Sequence, residues 1–192
     1  MGFLGVISLI GMPGSGKSTV GRQLARQLAS RFIDADAEIE KRIGMPIRVF
    51  FETEGEGRFR DLEQAVLVEL LQGGKLVLAT GGGIVLREGN RRALHAASTV
   101  IYLRSTPEEL FRRLRHDTHR PLLQVGDPLR KLRELSHERD SLYRQTAHFV
   151  IEIGRPSVPT LLNMILMQLE LAGLVDPALV PSSVESRRDQ PG

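Results

Sequence analysis

The apolar run Val6–Ile10 leads directly into Gly11-Met12-Pro13-Gly14-Ser15-Gly16-Lys17-Ser18, and a helical pattern begins at Thr19. The eight residues match G-x-x-x-x-G-K-[ST], and the strand–loop–helix context is the one that motif requires. The physical reason is charge. A nucleotide tail carries three or four negative charges and must be wrapped by backbone N–H groups, so bulky side chains are excluded and Gly14 and Gly16 are needed. A helix that opens just after Gly16 adds the partial positive charge of its N-terminus. In such a loop Ser15, Gly16 and Thr19 line the phosphates and Lys17 reaches the β- and γ-phosphates. The Ser18 hydroxyl is placed to ligate Mg²⁺. The bland alternative is a glycine-rich turn without a ligand, which the intact context disfavours.

The rest of the chain fits a doubly covered α/β sheet. Strand-like segments fall at Val6–Ile10, Arg31–Ile33, Leu76–Thr80, Val100–Leu103 and Phe149–Ile153. Helical patterns fall at Thr19–Ala29, Arg60–Leu71, Pro107–Arg115, Leu129–Arg144 and Val158–Ala172. Strands that are apolar throughout and alternate with helices predict a parallel sheet with helices on both faces, with ligands at the carboxyl ends of the strands. Gly44–Gly57 breaks the pattern and reads as an insertion, and residues 115–127 read as a mobile loop. From 174 to 192 the chain turns to Pro, Ser and charge, which reads as a disordered tail after a domain spanning 1–173.

Composition narrows the function. There is no cysteine, so disulfide and thiolate chemistry are excluded, and a reducing cytoplasm is the expected compartment. No run of about 18 apolar residues is present, so no membrane span is expected. The start of the chain lacks the basic leader of a signal peptide. The sequence pI is about 9.7, but the formal surplus is only +3 and aromatics are 5%. That is too little charge and stacking surface to argue for nucleic acid.

The rest of the site is read from six further patterns. Asp34 and Asp36 flank Ala35 just after the second strand. One carboxylate there is placed to hold a metal and the other to take a proton from a hydroxyl, while a helix cap is the plainer use. Arg60 and Glu63 share a helix face, and an Arg held by a carboxylate is oriented to bind another anion, although most such pairs are surface salt bridges. Gly81-Gly82-Gly83 lets a ligand lie against bare backbone. Arg120 in Arg120-Pro121-Leu122-Leu123 sits on the mobile loop, where it would fold over the phosphates. Arg139 is either a second anion clamp or part of a charged helix face, and Arg155 is a weak candidate at the nucleotide base.

Taken together, these motifs resemble the shikimate kinase family in order and spacing, from Val6 to about Ala172. The phosphate loop Gly11–Thr19, Asp34 and Asp36, Gly55–Glu63, Gly81–Gly83, Arg120–Leu123, and Arg139 with Tyr143 carry the resemblance. It implies a three-layer α/β/α fold of the P-loop kinase type. The five-stranded parallel sheet would carry a small substrate-binding insertion at about 34–62 and a lid at about 115–127. It implies transfer of a phosphoryl group from ATP to the 3-hydroxyl of shikimate, with Mg²⁺, by a cytoplasmic, monomeric enzyme of aromatic amino-acid biosynthesis that takes neither nucleic acid nor membrane as a partner. The residues implied for shikimate are Asp36, Arg60, Gly82 and Arg139. Those implied for ATP are Gly14–Thr19, Arg120 and Arg155, with Arg113 also possible at the adenine. Asp34 and Ser18 are implied for the metal, and Lys17, Asp36 and Arg120 for catalysis. Gly57 beside Glu56 is a departure that puts an extra flexible residue at the start of the substrate helix. The rival readings are a kinase of another small acceptor, such as gluconate or a nucleoside monophosphate, and a non-catalytic regulatory module.

Overall fold

The computed structural model describes residues 5–115, 126–154 and 157–180. Five strands form one sheet: β1 (Val6–Ile10), β2 (Arg31–Asp34), β3 (Leu76–Ala79), β4 (Thr99–Arg104) and β5 (Phe149–Glu152). Their spatial order is β2-β3-β1-β4-β5, and every pairing is parallel. β1 is therefore central, and the chain leaves it first toward β2 and β3 and later crosses to β4. A crevice opens at such a switch, beyond the carboxyl ends of the strands.

Alternation along the strands builds two cores. Ile7, Leu9, Val77, Ile101 and Leu103 point to one face, where they meet Val20 and Leu24 of α1 (Lys17–Gln27) and Leu161, Ile165 and Leu169 of α7 (Val158–Leu171). Val6, Ile10, Leu76, Leu78, Val100 and Tyr102 point to the other. There they meet Ile39 of α2 (Ala35–Ile43), Val66 and Leu67 of α3 (Ile47–Leu71), Leu94 of α4 (Glu88–Ala97), Leu110 of α5 (Pro107–Leu114), and Leu132 and Tyr143 of α6 (Pro128–Thr146). Three layers follow from the two-residue period of the strands, each side of which must be covered.

The structure departs from the sequence reading in four places. The stretch 44–57 is mostly helical: α3 begins at Ile47, not Arg60, and Phe51 packs tilted against Phe59 with ring centroids 4.6 Å apart. Its break is at Gly55, at φ 83° and ψ 164°, a conformation that favours glycine, whereas Gly57 lies within the helix. Helix α4 carries only Asn90 and Leu94 buried among charged residues, so its apolar periodicity is too sparse to read. The expected disordered tail is in part ordered. Val175 is buried, Leu179 and Val180 pack against the α1–α7 core, and Pro177–Leu179 forms a 3-10 turn. Burial of Val175 and the packing of Leu179 and Val180 dock it. Residues 181–192, and residues 116–125 of the lid expected at about 115–127, lie outside the described residues.

Candidate active site

At the end of β1 the chain turns through the loop Gly11–Gly16. Gly14 at φ 82° and Gly16 at φ 89° hold left-handed conformations open to glycine. Ser15 N–H closes the turn by donating to the Met12 carbonyl at 3.1 Å. Gly16 caps α1 without a side chain, which leaves the first backbone N–H groups of the helix, those of Lys17, Ser18 and Thr19, pointing outward as anion donors. Lys17 is buried, and its ammonium donates to the Gly11 and Met12 carbonyls, each at 2.9 Å. The lysine is thus held as a fixed charge rather than a waving one.

β2 delivers the carboxylates. Asp34 serves two purposes at once: Oδ1 accepts from Ala37 N–H at 3.1 Å as the cap of α2, and Oδ2 accepts from the Ser18 hydroxyl. The cap reading and the metal reading are therefore not exclusive. Ser18 and Asp34 are hard oxygen donors brought together at one cavity wall, which suits Mg²⁺. Among the described residues no cluster of three or more acidic or histidine side chains adds to them. Such sparse protein ligation matches an ion that keeps waters and substrate phosphates.

Asp36 is one residue into the first turn of α2, and makes no hydrogen bond among the described residues. Burial lifts its carboxyl from 3.8 to about 6; the charges of Asp34, Glu63 and Glu40 add to the rise, and Lys17 opposes it. A carboxylate with an unsatisfied acceptor and a pKa near the working range suits proton transfer.

Gly81–Gly83 follows β3, and each glycine lies in close approach to a neighbour. A Cβ on Gly81 would lie 2.6 Å from Asp36 Oδ1, one on Gly82 2.8 Å from Pro13, and one on Gly83 2.5 Å from the Arg60 guanidinium. The turn is thus a bare-backbone floor on which the phosphate loop, Asp36 and Arg60 converge. Arg60 donates to Glu63 Oε2 at 2.8 Å and to the exposed Glu56. Burial works against its charge, and the hydrogen bonds to Glu63 and Glu56 more than offset that. Glu63 is buried, and burial raises its carboxyl against the pull of Arg60 and Arg139. Arg139, on α6, has its Nε buried with no hydrogen-bond partner among the described residues. A buried guanidinium donor left without an acceptor favours an incoming oxyanion.

One cavity of about 430 Å³ is lined by Gly14, Gly16, Lys17, Ser18, Thr19, Asp34, Asp36 and Gly82 of the expected residues, and also by Pro13, Thr80, Arg113 and Leu114. Arg60, which packs against Gly83, and Arg139 are not on the cavity wall. Arg113 Nη2 donates to the Gly154 carbonyl at 3.2 Å, at the mouth between α5 and the end of β5. Arg120 and Arg155 lie outside the described residues. The sequence reading had passed over Pro13, Thr80 and Leu114. Their signals were slight: Thr80 ends a strand beside three glycines, and Leu114 is the side chain a Cβ on Gly14 would strike at 2.8 Å.

The arrangement can hold a polyphosphate over Gly14–Thr19 and present a hydroxyl beside Asp36. The family model for shikimate kinase matches residues 13–170. The chain belongs to the shikimate kinase family. Among the relatives of this family member, a shikimate kinase of Paracidovorax citrulli is 59% identical over 90% of this chain and 96% of that protein. One of Burkholderia thailandensis is 54% identical over 88% and 92%. A solved structure of the shikimate kinase from Acinetobacter baumannii, in complex with shikimate, superposes with a TM-score of 0.83 at 44% identity, covering 90% of this chain and 96% of that one. The five-stranded parallel P-loop kinase fold expected from the sequence is the fold of that structure.

Proposed function

We propose that this member of the shikimate kinase family transfers the γ-phosphoryl group of ATP to the 3-hydroxyl of shikimate, giving ADP and shikimate 3-phosphate for aromatic amino-acid biosynthesis. The observation that carries the reading is that Lys17 of the phosphate loop and the half-buried Asp36 carboxylate share one cavity, with the Lys17 charge pulling against the rise in the Asp36 pKa. In this reading the N–H groups over Gly14, Ser15, Gly16, Lys17, Ser18 and Thr19 bind the ATP phosphates. Ser18 and Asp34 hold Mg²⁺, which when bound shields phosphate charge. Arg60 and Arg139 grip the shikimate carboxylate, and Asp36 and Gly82 N–H bind its hydroxyls. Arg120 and Arg155 take their places at the phosphates and the base from the family resemblance alone.

The reacting hydroxyl loses its proton to Asp36 as its oxygen bonds to the γ-phosphorus. The bond from that phosphorus to the β–γ bridging oxygen breaks, and Lys17 stabilises the charge that collects there. Most of the acceleration comes from positioning and fixed charge rather than covalent chemistry. No helix among the described residues is long and apolar enough to cross a membrane. A cytoplasmic monomer is the arrangement we assign.

The test is an acceptor panel. Purified protein with ATP and Mg²⁺ is offered shikimate, gluconate and a nucleoside monophosphate, and ADP release is followed. Shikimate alone is expected to raise the rate at least about 100-fold above the acceptor-free control. A comparable response to gluconate would move the substrate, and none to any acceptor would move the protein to a regulatory role.

A further inference from the structure

The turn Gly81–Gly83 needs an external tie. Three successive glycines have no side chains to hold them and the widest backbone freedom of any tripeptide. Their carbonyls can be accounted for one by one. Gly81 accepts from Ile84 N–H at 3.2 Å and Gly83 from Leu86 N–H at 3.1 Å, both within the local 3-10 turn. Only Gly82 looks elsewhere: its carbonyl accepts from the Tyr143 hydroxyl at 2.5 Å. Tyr143 is fully buried and stacks on Tyr102 with centroids 4.9 Å apart. Burial pushes its hydroxyl up to about 12, against the pull of Arg139, so it stays a donor at any working pH. It also sits four residues after Arg139 on α6, on the same helix face.

We infer that Tyr143 is a positioning residue that sets the acceptor subsite, by tying the Gly82 backbone to the helix that carries Arg139. The inference rests on the acceptor reading above, in which Gly82 and Arg139 touch opposite ends of one small ligand. The Gly82 carbonyl belongs to the peptide plane that follows the Gly82 N–H, so pinning it restricts the torsions that aim that N–H. The same bond fixes the spacing between the glycine floor and α6. The Tyr102 hydroxyl is directed elsewhere, donating to Asp140 at 2.7 Å, and offers an internal control.

The variants are Tyr143→Phe and Tyr102→Phe, each losing one hydroxyl and keeping its ring in the stack. Tyr143→Phe is expected to raise KM for shikimate about fivefold to tenfold, the scale of one buried hydrogen bond, with KM for ATP within twofold. In ¹⁵N–¹H spectra it should shift or broaden the Gly82 and Gly83 amide signals and leave those of Gly14 and Gly16 in place. Tyr102→Phe should leave both KM values within twofold. A merely structural Tyr143 would lower the unfolding temperature without changing the ratio of the two KM values. An unchanged ratio, or unmoved Gly82 and Gly83 signals, overturns the inference. Wild-type protein that does not turn over shikimate would sink the acceptor reading instead. The amide signals would then decide the tie between Tyr143 and the turn on their own.

Discussion

Asp36 is a carboxylate kept where its charge is expensive. Burial, then Asp34 and Glu63, lift its pKa from 3.8 to about 6. The consequences for rate and for stability have opposite signs. As a proton acceptor Asp36 must be ionised, so kcat/KM should fall about tenfold per pH unit below about pH 6. Between about 3.8 and 6 the folded chain binds a proton that the unfolded chain does not, so stability decreases as pH rises through that window and the cost is fully present at neutral pH. Asp36→Asn removes the charge along with the acceptor. It should lower kcat at least about 100-fold and raise Tm at pH 7.5 by about 3 °C or more, since about 1 kcal/mol moves a domain of this size by that much. Calorimetry beside a coupled assay checks both, and a variant with near-normal kcat or a lowered Tm contradicts the assignment. The spacing of Asp34 and Asp36 in the sequence was enough to put both at a strand end. It was not enough to tell them apart, because what separates them is supplied from afar: Ser18 for Asp34, Gly81 and Glu63 for Asp36.

At the scale of elements, the site is where the phosphate loop and helices α2 and α3 converge on one glycine floor. The two outer glycines of the three-residue turn lean on Asp36 and Arg60, and the middle one leans on Pro13 of the phosphate loop. These neighbours differ in stiffness, so the effects of added methyl groups should differ. Gly83→Ala meets the end of a flexible guanidinium and should raise KM for shikimate about tenfold while sparing KM for ATP. Gly82→Ala meets a proline ring fixed in the loop and should raise both. Initial-rate measurements with each substrate varied in turn will show this; equal patterns for the two variants would contradict the geometry. The glycine triplet was visible in the sequence, and so was its place after a strand. Its neighbours were not, since contacts between loops leave no periodic trace. The same holds for α3: Gly57 drew the eye, but the turn in the chain is made by Gly55, which only the backbone torsion reveals.

For the whole molecule, the apolar runs of the inner strands β1, β3 and β4 made the doubly covered parallel sheet legible, and the phosphate loop fixed which end of it is functional. Helix α4 and the docked segment through Val180 were not legible, because α4 buries only Asn90 and Leu94 among charged residues and the short segment buries only Val175, with Leu179 and Val180 partly covered. The sheet order puts β1 between β3 and β4, so the phosphate loop and the glycine turn, proposed for the donor and the acceptor, leave adjacent strands. Phosphoryl transfer within one crevice is the central claim, and the product tests it most directly. After reaction with ATP, Mg²⁺ and shikimate, ¹H–³¹P correlation spectra should show one phosphate ester, on the 3-oxygen, in equal amount to the ADP formed. Inorganic phosphate in place of the ester, or an ester on another oxygen, would contradict the account.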